Sequence, residues 1–473
     1  MPKIVLGLKD GITIKETAEG GAELHNGSQT WPLQEARPGT VQALIRLADG
    51  GDTKEELEAL AGEVDWFFSK FPQFYDKLSE RGYITWSVEE KGHRLARLEA
   101  VGPGFAPCQP EISPAQRFVL SRFAYSRRLN NTTVVETPLK LIRLELIGWL
   151  SAALWGLLSR PVSSLELTSA VPGANSATVS LLLQLFHAAG VIEKVATADD
   201  CSPEECDQVL RQWEFHDLLF HSRVRDGRHD APLGATFRFW PDFPPLPACK
   251  PPMPGEVIEL YRPDIEQLKA EDYPFTLVLE ERRSVRDYAP EAITLEQLGE
   301  FLYRSARVKK MQPADPGRGL MYEASARPYP GGGACHGLEI YLTVSECQAL
   351  KPGLYHYDPL AHHLTKLSDP NNYTDLMLKQ AENSAAHHCL PQVLITITAR
   401  FQRLSWKYSS IALSLILKDV GALYQTMYLV ATTMDLAPCA LGAGHADGLC
   451  RAAGLNYLEE SPVGEFLLGS KRI

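Results

Sequence analysis

WKYSSIALSLILKDVGALYQTMYLVATTM, residues 406–434, decides how the C-terminal half of this chain is read. Its body is an apolar pattern, broken by Lys418 and Asp419, and it opens on Lys407 and Tyr408. A helix over the whole span is roughly 40 Å long at about 1.5 Å per residue. So long an apolar helix must be buried on most of its sides, as the spine of a domain. Upstream of it the pattern predicts short helices over 275–281 and 294–305, a hairpin over 353–367 and a buried strand over 392–401. Between them lie two loop-like runs, ERRSVRDY at 281–288 and RPYPGGGA at 327–334. Downstream come PCALGAGHADGLC at 438–450, a short helix and VGEFLLGSKRI at the end. Strands and helices mix without strict alternation, so 276–473 is expected to be an α+β domain.

The first 200 residues show one plan twice. In the first copy, residues 1–108, short strands over 3–8 and 12–17 turn at Asp10-Gly11. Helices follow over 41–47, 53–60 and 64–81, the last broken at Phe71-Pro72 and ended by Gly82, and a strand pair closes the unit. The second copy, 109–200, starts with strands around Asn130-Asn131. It continues with an apolar helix over 139–158, a short one after Ser163-Ser164 and a third over 176–189. Strands, three helices and a hairpin make a winged helix-turn-helix. The usual partner of that motif is DNA. Here the third helix of the second copy, SATVSLLLQLFHAA, has no Lys or Arg to reach a phosphate. In the first copy Lys70, Lys77 and Arg81 are matched by Asp65, Asp76 and Glu80. No nucleic-acid partner is therefore expected. A peptide added as a strand beside the third helix is the alternative, together with a structural wing or a dimer element. Residues 201–275 form a connecting region. It holds WEFHDLLFHSRVRDGRHD at 213–230, readable as a solvated basic loop or as a flap over an anionic cofactor, and a stiff proline-rich run at 242–254.

The totals agree with a multidomain soluble protein. The chain has 473 residues, 45% hydrophobic and 22% charged, and a formal net charge of −11. That charge disfavours a general polyanion binder. The N-terminus lacks a signal-peptide apolar region, and uninterrupted apolar runs stay short of about 18 residues, so no membrane span is expected. Nine cysteines without a C-x-x-C pair suit reduced thiols and a cytoplasmic location. The histidines lack metal-ligand spacing, and no metal site is expected.

Chemistry-bearing residues concentrate in 276–473. Arg282, Arg283, Ser284 and Arg286 offer guanidinium forks and a hydroxyl suited to phosphate. Arg327 and the triple glycine Gly331 to Gly333 precede a strand, where glycine lets a ligand approach the backbone. A second glycine-rich turn holds Gly442 and Ala443, and Lys471 and Arg472 bring two cations to the C-terminus. Neither a dinucleotide-binding G-x-G-x-x-G before a helix nor a G-K-[ST] P-loop occurs. Tyr424, Met427 and Tyr428 recur at helical spacing and read as core or dimer contacts. His362-His363 reads as an exposed hairpin, His387-His388-Cys389 as structural, and Cys439 and Cys450 as small buried hydrophobes.

In this order the motifs resemble the nitroreductase-fold flavoproteins. Within them they resemble the FMN-dependent azoline dehydrogenases of ribosomal peptide maturation, most closely the cyanobactin oxidases of the ThcOx type. The N-terminal repeat resembles the precursor-peptide recognition elements of peptide-modifying enzymes. The resemblance implies a nitroreductase-like FMN domain preceded by two winged helix-turn-helix domains. It implies that Arg282, Ser284 and Arg286, with Arg283 at the variable position, hold FMN. Arg327, Gly331 and Gly332 match a second flavin-contacting segment, where many relatives carry Ser at Gly331. Gly442 and Ala443 match the turn facing the reactive flavin nitrogen, and Lys471 and Arg472 a phosphate clamp. Lys407 and Tyr408 match the catalytic Lys-Tyr pair that generic nitroreductases lack. The implied reaction is oxidation of a peptide thiazoline to a thiazole, on a heterocyclised precursor peptide, by a cytoplasmic homodimer with FMN sites built from both subunits. Tyr408 is preferred as proton acceptor or relay and Lys407 as its partner. Because adjacent helical residues point about 100° apart, both can face one ligand only at the entrance of the helix. The alternatives are an NAD(P)H-dependent flavin nitroreductase, a flavin-binding regulator, and a precursor-peptide scaffold.

Overall fold

The computed structural model describes residues 1–18, 21–33, 36–65, 70–102, 111–197, 201–386 and 390–472. The expected His387-His388-Cys389 element lies outside the described residues. The chain forms two compact units, Met1–Ala231 and Pro232–Ile473. The division falls inside the expected connecting region: 201–231 belongs with the first unit and 232–275 with the second.

In the first unit, three helices, Pro38–Ala48, Lys54–Asp65 and Phe71–Glu80, precede the hairpin Ile84–Glu90 and His93–Ala100. Pro38 and Pro72 sit in the first turns of their helices, where a missing N–H is harmless. Gly82 ends the third helix at φ +71°, a conformation that costs glycine nothing. A second set of helices, Trp149–Leu157, Ser164–Ala170 and Ser176–Ala188, packs with the three-stranded sheet of Arg117–Leu120, Val162–Ser163 and Ile192–Val195. Ser163 and Glu166 form a reciprocal cap on the middle helix.

Two sequence expectations change here. The apolar helix expected over 139–158 is a strand, Ile142–Leu146, followed by the helix Trp149–Leu157. IRLEL alternates with period two, burying Ile142, Leu144 and Leu146 on one face, and Gly148 at φ +89° separates strand from helix. That strand pairs with His93–Ala100, so one six-stranded sheet runs across the expected boundary at residue 108. The other change concerns the run at 213–230. Arg143, itself buried, pairs with Glu99 at 2.9 Å, Glu136 at 3.1 Å and Asp230 at 2.9 Å. Arg223 reaches Glu136 at 2.8 Å and also bonds the Tyr125 hydroxyl. The run is thus fastened to the sheet of the first unit rather than free as a loop. The expectation of reduced thiols is also corrected for one pair: Cys201 and Cys206 form a disulfide across one short helix, a local closure that the unpatterned spacing did not announce.

The second unit is built on a seven-stranded antiparallel sheet. Its order is Glu256–Glu259, His363–Ser368, Gly353–Asp358, Leu338–Val344, Val393–Arg400, Glu460–Ser470 and Leu436–Leu441. Alternate residues of the central strands feed two cores. Ile340, Leu342, Ile395, Ile397, Phe466 and Leu468 face one side, with the helices Leu295–Ala306 and Ala412–Thr433. Tyr341, Leu394 and Leu467 face the other, with the helices Asn372–Ser384 and Ala446–Ala453. The spine is therefore one layer of a helix–sheet–helix sandwich. It begins at Ala412, six residues later than the pattern suggests, because Ser410 takes φ +62°. Ile416, Asp419, Val420, Leu423, Met427 and Ala431 form its buried stripe, while Leu413 and Leu417 are 43% and 44% exposed. His362, expected on an exposed hairpin, is buried, with its ring nitrogens 2.9 Å from the Tyr357 hydroxyl and 2.9 Å from the Tyr261 carbonyl oxygen. Cys439 and Cys450 are buried thiols.

Candidate functional site

Lys407 and Tyr408 lie ahead of the spine, not in it. Trp406 and Lys407 make a turn after the short helix Phe401–Ser405, and Tyr408–Ser409 pairs antiparallel with Gly234–Ala235. This removes the helical constraint on adjacent side chains. A Cβ placed on Gly333 would overlap both the Lys407 Nζ and the Tyr408 Oη, so the two polar ends meet over that glycine. Gly333 has φ +57°, which glycine alone adopts freely.

Tyr322 completes this cluster. Lys407 Nζ donates to Tyr322 Oη at 2.5 Å, and Tyr322 Oη donates to the Gly333 carbonyl at 2.6 Å. The Lys407 ammonium also lies 4.8 Å from the Tyr322 ring centre, 5.0 Å from that of Tyr408 and 6.0 Å from that of Phe237. Burial works against the charge on Lys407, but the Tyr322 and Tyr408 hydroxyls outweigh it and its pKa rises above the ordinary value. Burial pushes the Tyr322 hydroxyl up as well, against the pull of Lys407, so it stays neutral and able to donate. Below the glycine turn, Asp419 of the spine accepts from the Gly332 N–H at 2.9 Å. Its carboxyl is pushed up to about 6 by burial. Arg403 ties the surroundings together, donating to the Cys335 carbonyl at 2.8 Å, the Leu246 carbonyl at 2.6 Å and the Glu323 carbonyl.

A second cluster forms near the other end of the spine. Ser284 Oγ is 2.7 Å from Tyr428 Oη, which also accepts from the Ala440 N–H at 2.8 Å. The Arg282 guanidinium stands 5.3 Å from the Tyr428 ring centre, and Arg286 lies beside Cys439. Val285 N–H donates to the Pro438 carbonyl at 2.8 Å, which anchors the arginine run to the sheet edge. Lys471 pairs with Asp435 at 3.0 Å, while Arg283 and Arg472 are exposed. Asp419 and Tyr428 are nine residues apart on one helix, about 13 Å along its axis. Within one chain the expected site residues therefore divide into two groups.

The remaining expected residues are placed as follows. Gly442 and Ala443 are exposed just past the strand Leu436–Leu441, with open space where a Gly442 Cβ would stand. Gly331 lies against the His336 ring and Gly332 against Leu415. Arg327 is 7% exposed, buried among Tyr329, Glu339 and Tyr357. The Tyr329 ring centre is in turn 5.2 Å from that of His336, the ring against Gly331. Tyr322, Asp419 and Tyr428 were missed as site residues. Tyr322 had no local signal, and Asp419 only that of a lone charge on an apolar stripe. Among the described residues no group of His, Cys, Asp or Glu could hold a metal, and no helix is long and apolar enough to cross a membrane.

Parts of the chain are similar to known proteins. Residues 118–230 match the family model of the cyanobactin oxidase ThcOx, and residues 279–470 match the nitroreductase family. A protein of Methanocaldococcus jannaschii that carries the nitroreductase name is 28% identical over 189 residues, 40% of this chain and 86% of its own length. Among solved structures, a nitroreductase-named protein of Ralstonia eutropha has 21% identity and a TM-score of 0.37, covering 48% of this chain and 95% of its own. A chain of the E. coli microcin synthetase McbBCD complex, solved with truncated pro-MccB17 bound, has 18% identity and a TM-score of 0.35, covering 51% of this chain and 83% of its own. By these sequence matches, the chain carries a nitroreductase-type domain over residues 279–470 behind a region, residues 118–230, similar to the cyanobactin oxidase ThcOx.

Proposed function

We propose that this protein oxidises peptide thiazolines to thiazoles with FMN as electron acceptor. The observation that carries the reading is the meeting of Lys407 Nζ and Tyr408 Oη over Gly333, with Tyr322 holding the ammonium. In a peptide thiazoline the ring carbon next to the carbonyl bears an acidified hydrogen. Tyr408 Oη takes that proton. A free tyrosine, with a pKa near 10, is a poor base at neutral pH. The Lys407 ammonium beside it offers a positive charge to the oxygen as the proton is transferred. Tyr322, tethered to the Gly333 carbonyl, fixes the ammonium in place. Bound FMN would supply the acceptor for the hydride of the neighbouring ring carbon, with dioxygen as the final oxidant.

The residues fit such a cofactor. Arg282, Arg283 and Arg472 with Ser284 offer charge-assisted donors to a phosphate, and the space at Gly442 lets a flat ring approach the backbone. Their separation from the Lys407 cluster along the spine supports a homodimer whose two sites each draw on both subunits. The exposed Leu413 and Leu417 would form part of its seam. We read the helical sets before residue 200 as two winged helix-turn-helix elements that bind the precursor peptide, in a cytoplasmic enzyme.

The test is an assay of yellow purified protein with a thiazoline-bearing peptide and, separately, with NAD(P)H. The expected result is thiazole absorbance growing with oxygen uptake. Rapid NAD(P)H oxidation with the peptide untouched would instead assign the chain to the generic flavin nitroreductases.

A further inference from the structure

The segment that leads into Gly234–Ala235 and runs on to Lys250 is a strap clasped along 400–410. Phe237 N–H donates to the Lys407 carbonyl at 3.1 Å, Trp406 Nε1 to the Phe243 carbonyl at 2.7 Å, and Arg400 to the carbonyls of Pro247 and Ala248 at 2.9 and 3.0 Å. Between strap and body run two cavities. One, of about 320 Å³, is walled by Phe239, Phe243, Pro244, Leu246 and Trp406. The other, of about 600 Å³, continues from it past Leu246 and Gln402 to Asn456. Phe243 is 61% exposed and Trp240 46%, although aromatic rings of this size gain from burial.

Two features identify what fills the groove. The first is position. Trp406 precedes Lys407, and its ring centre lies 6.3 Å from that of Tyr322, so the inner wall of the groove is the outer wall of the Lys407 cluster. A peptide whose ring lies at Tyr408 must send its chain onward from there. The second is charge. The cations along the groove are already paired, Lys250 with Glu460 at 2.6 Å and Arg400 with Glu339 at 2.8 Å. That suits a neutral chain with apolar side groups and not a phosphate.

We propose that this groove binds the stretch of substrate peptide next to the ring being oxidised, with an apolar side chain seated between Phe239, Phe243 and Trp406. The inference rests on the azoline-oxidase reading and deepens it.

The test uses full-length, FMN-loaded protein and dye-labelled thiazoline peptides that carry Leu or Asp beside the ring, read by fluorescence anisotropy. The wild type binds the Leu peptide about tenfold more tightly than the Asp peptide, and Phe243→Ala removes most of that preference. Leu246→Ala is the second variant, and melting temperature and flavin content report on folding for both. Equal affinity of the wild type for the two peptides overturns the proposal, as does an undiminished preference in both variants. A change in dimer mass in place of peptide affinity also overturns it, since the groove would then be a subunit contact. If the preference stands but no thiazoline peptide is oxidised, the groove is upheld and the oxidase reading fails.

Discussion

In the proposed reaction, Tyr322 governs how Lys407 and Tyr408 divide the chemistry. Its hydroxyl favours the charged form of Lys407, so in that reaction Lys407 is the cation and Tyr408 the base. Lys407 holds its proton to above its ordinary value of 10.5, and the alkaline limit of the proposed reaction is expected where that proton is lost. Tyr322→Phe removes the hydrogen bond that raises this pKa. We predict that the alkaline limb of kcat moves to lower pH, with kcat at neutral pH falling about tenfold; an unmoved limb would leave Tyr322 a packing residue. Asp419 makes a different prediction. Its carboxyl is raised from 3.8 to about 6 in the folded protein. The folded state holds the proton more tightly, so its contribution is most favourable below pH 3.8 and is lost as pH rises through 6. A shift of two units corresponds to about 3 kcal/mol. Asp419→Asn, which keeps an acceptor for the Gly332 N–H, should therefore melt higher than the wild type at neutral pH and like it near pH 4. The dipeptide was readable in the sequence, whereas Tyr322 was not. Tyr322 reaches Lys407 across 85 residues, and no motif joins them.

Two elements bring the site together, the glycine turn and the turn before the spine. Gly333 must have φ +57° and must lack a Cβ for Lys407 and Tyr408 to converge. The atoms a Cβ would displace are the ends of two long side chains, which can swing away. Gly333→Ala should therefore fold, at a cost of about 1–2 kcal/mol for the backbone conformation, while kcat falls about 100-fold or more. Melting and turnover measured on one preparation separate the two effects. The glycine run was legible for that reason, since a triple glycine before a strand announces a close approach. The spine was legible in its body, where an apolar stripe recurs at helical spacing. Its start was not, because SSIA carries no strong breaker and the left-handed Ser410 is set by tertiary pairing with Gly234–Ala235. The helix expected over 139–158 failed for a related reason. Its apolar richness masked the period-two pattern of IRLEL, and Arg143 is buried there only because distant carboxylates meet it. Arg143→Ala strips Glu99 and Asp230 of this partner, while Glu136 keeps Arg127 and Arg223, and should cost about 3–5 kcal/mol. Urea unfolding should show that loss, with proteolytic cleavage appearing within 213–230; an unchanged midpoint would mean the network is dispensable.

At the scale of the molecule, the division of labour follows the two units. The second supplies a sheet with both faces covered, the spine packing against one of them. The first carries the match to the ThcOx cyanobactin oxidase model. The α+β character of the C-terminal domain was legible from irregular alternation of strands and helices. The sheet that joins the two N-terminal sets was not, because strand pairing between His93–Ala100 and Ile142–Leu146 is a long-range contact. The central claim is that Tyr408 removes the proton from the ring carbon beside the carbonyl. Its most direct test is mass spectrometry of a thiazoline peptide deuterated at that carbon, incubated in air with FMN-loaded wild type and with Tyr408→Phe. The account predicts that the wild type removes one deuterium and one hydrogen per ring and that the variant leaves the peptide's mass unchanged over the same time. An unchanged mass with the wild type, or equal conversion by Tyr408→Phe, would contradict it.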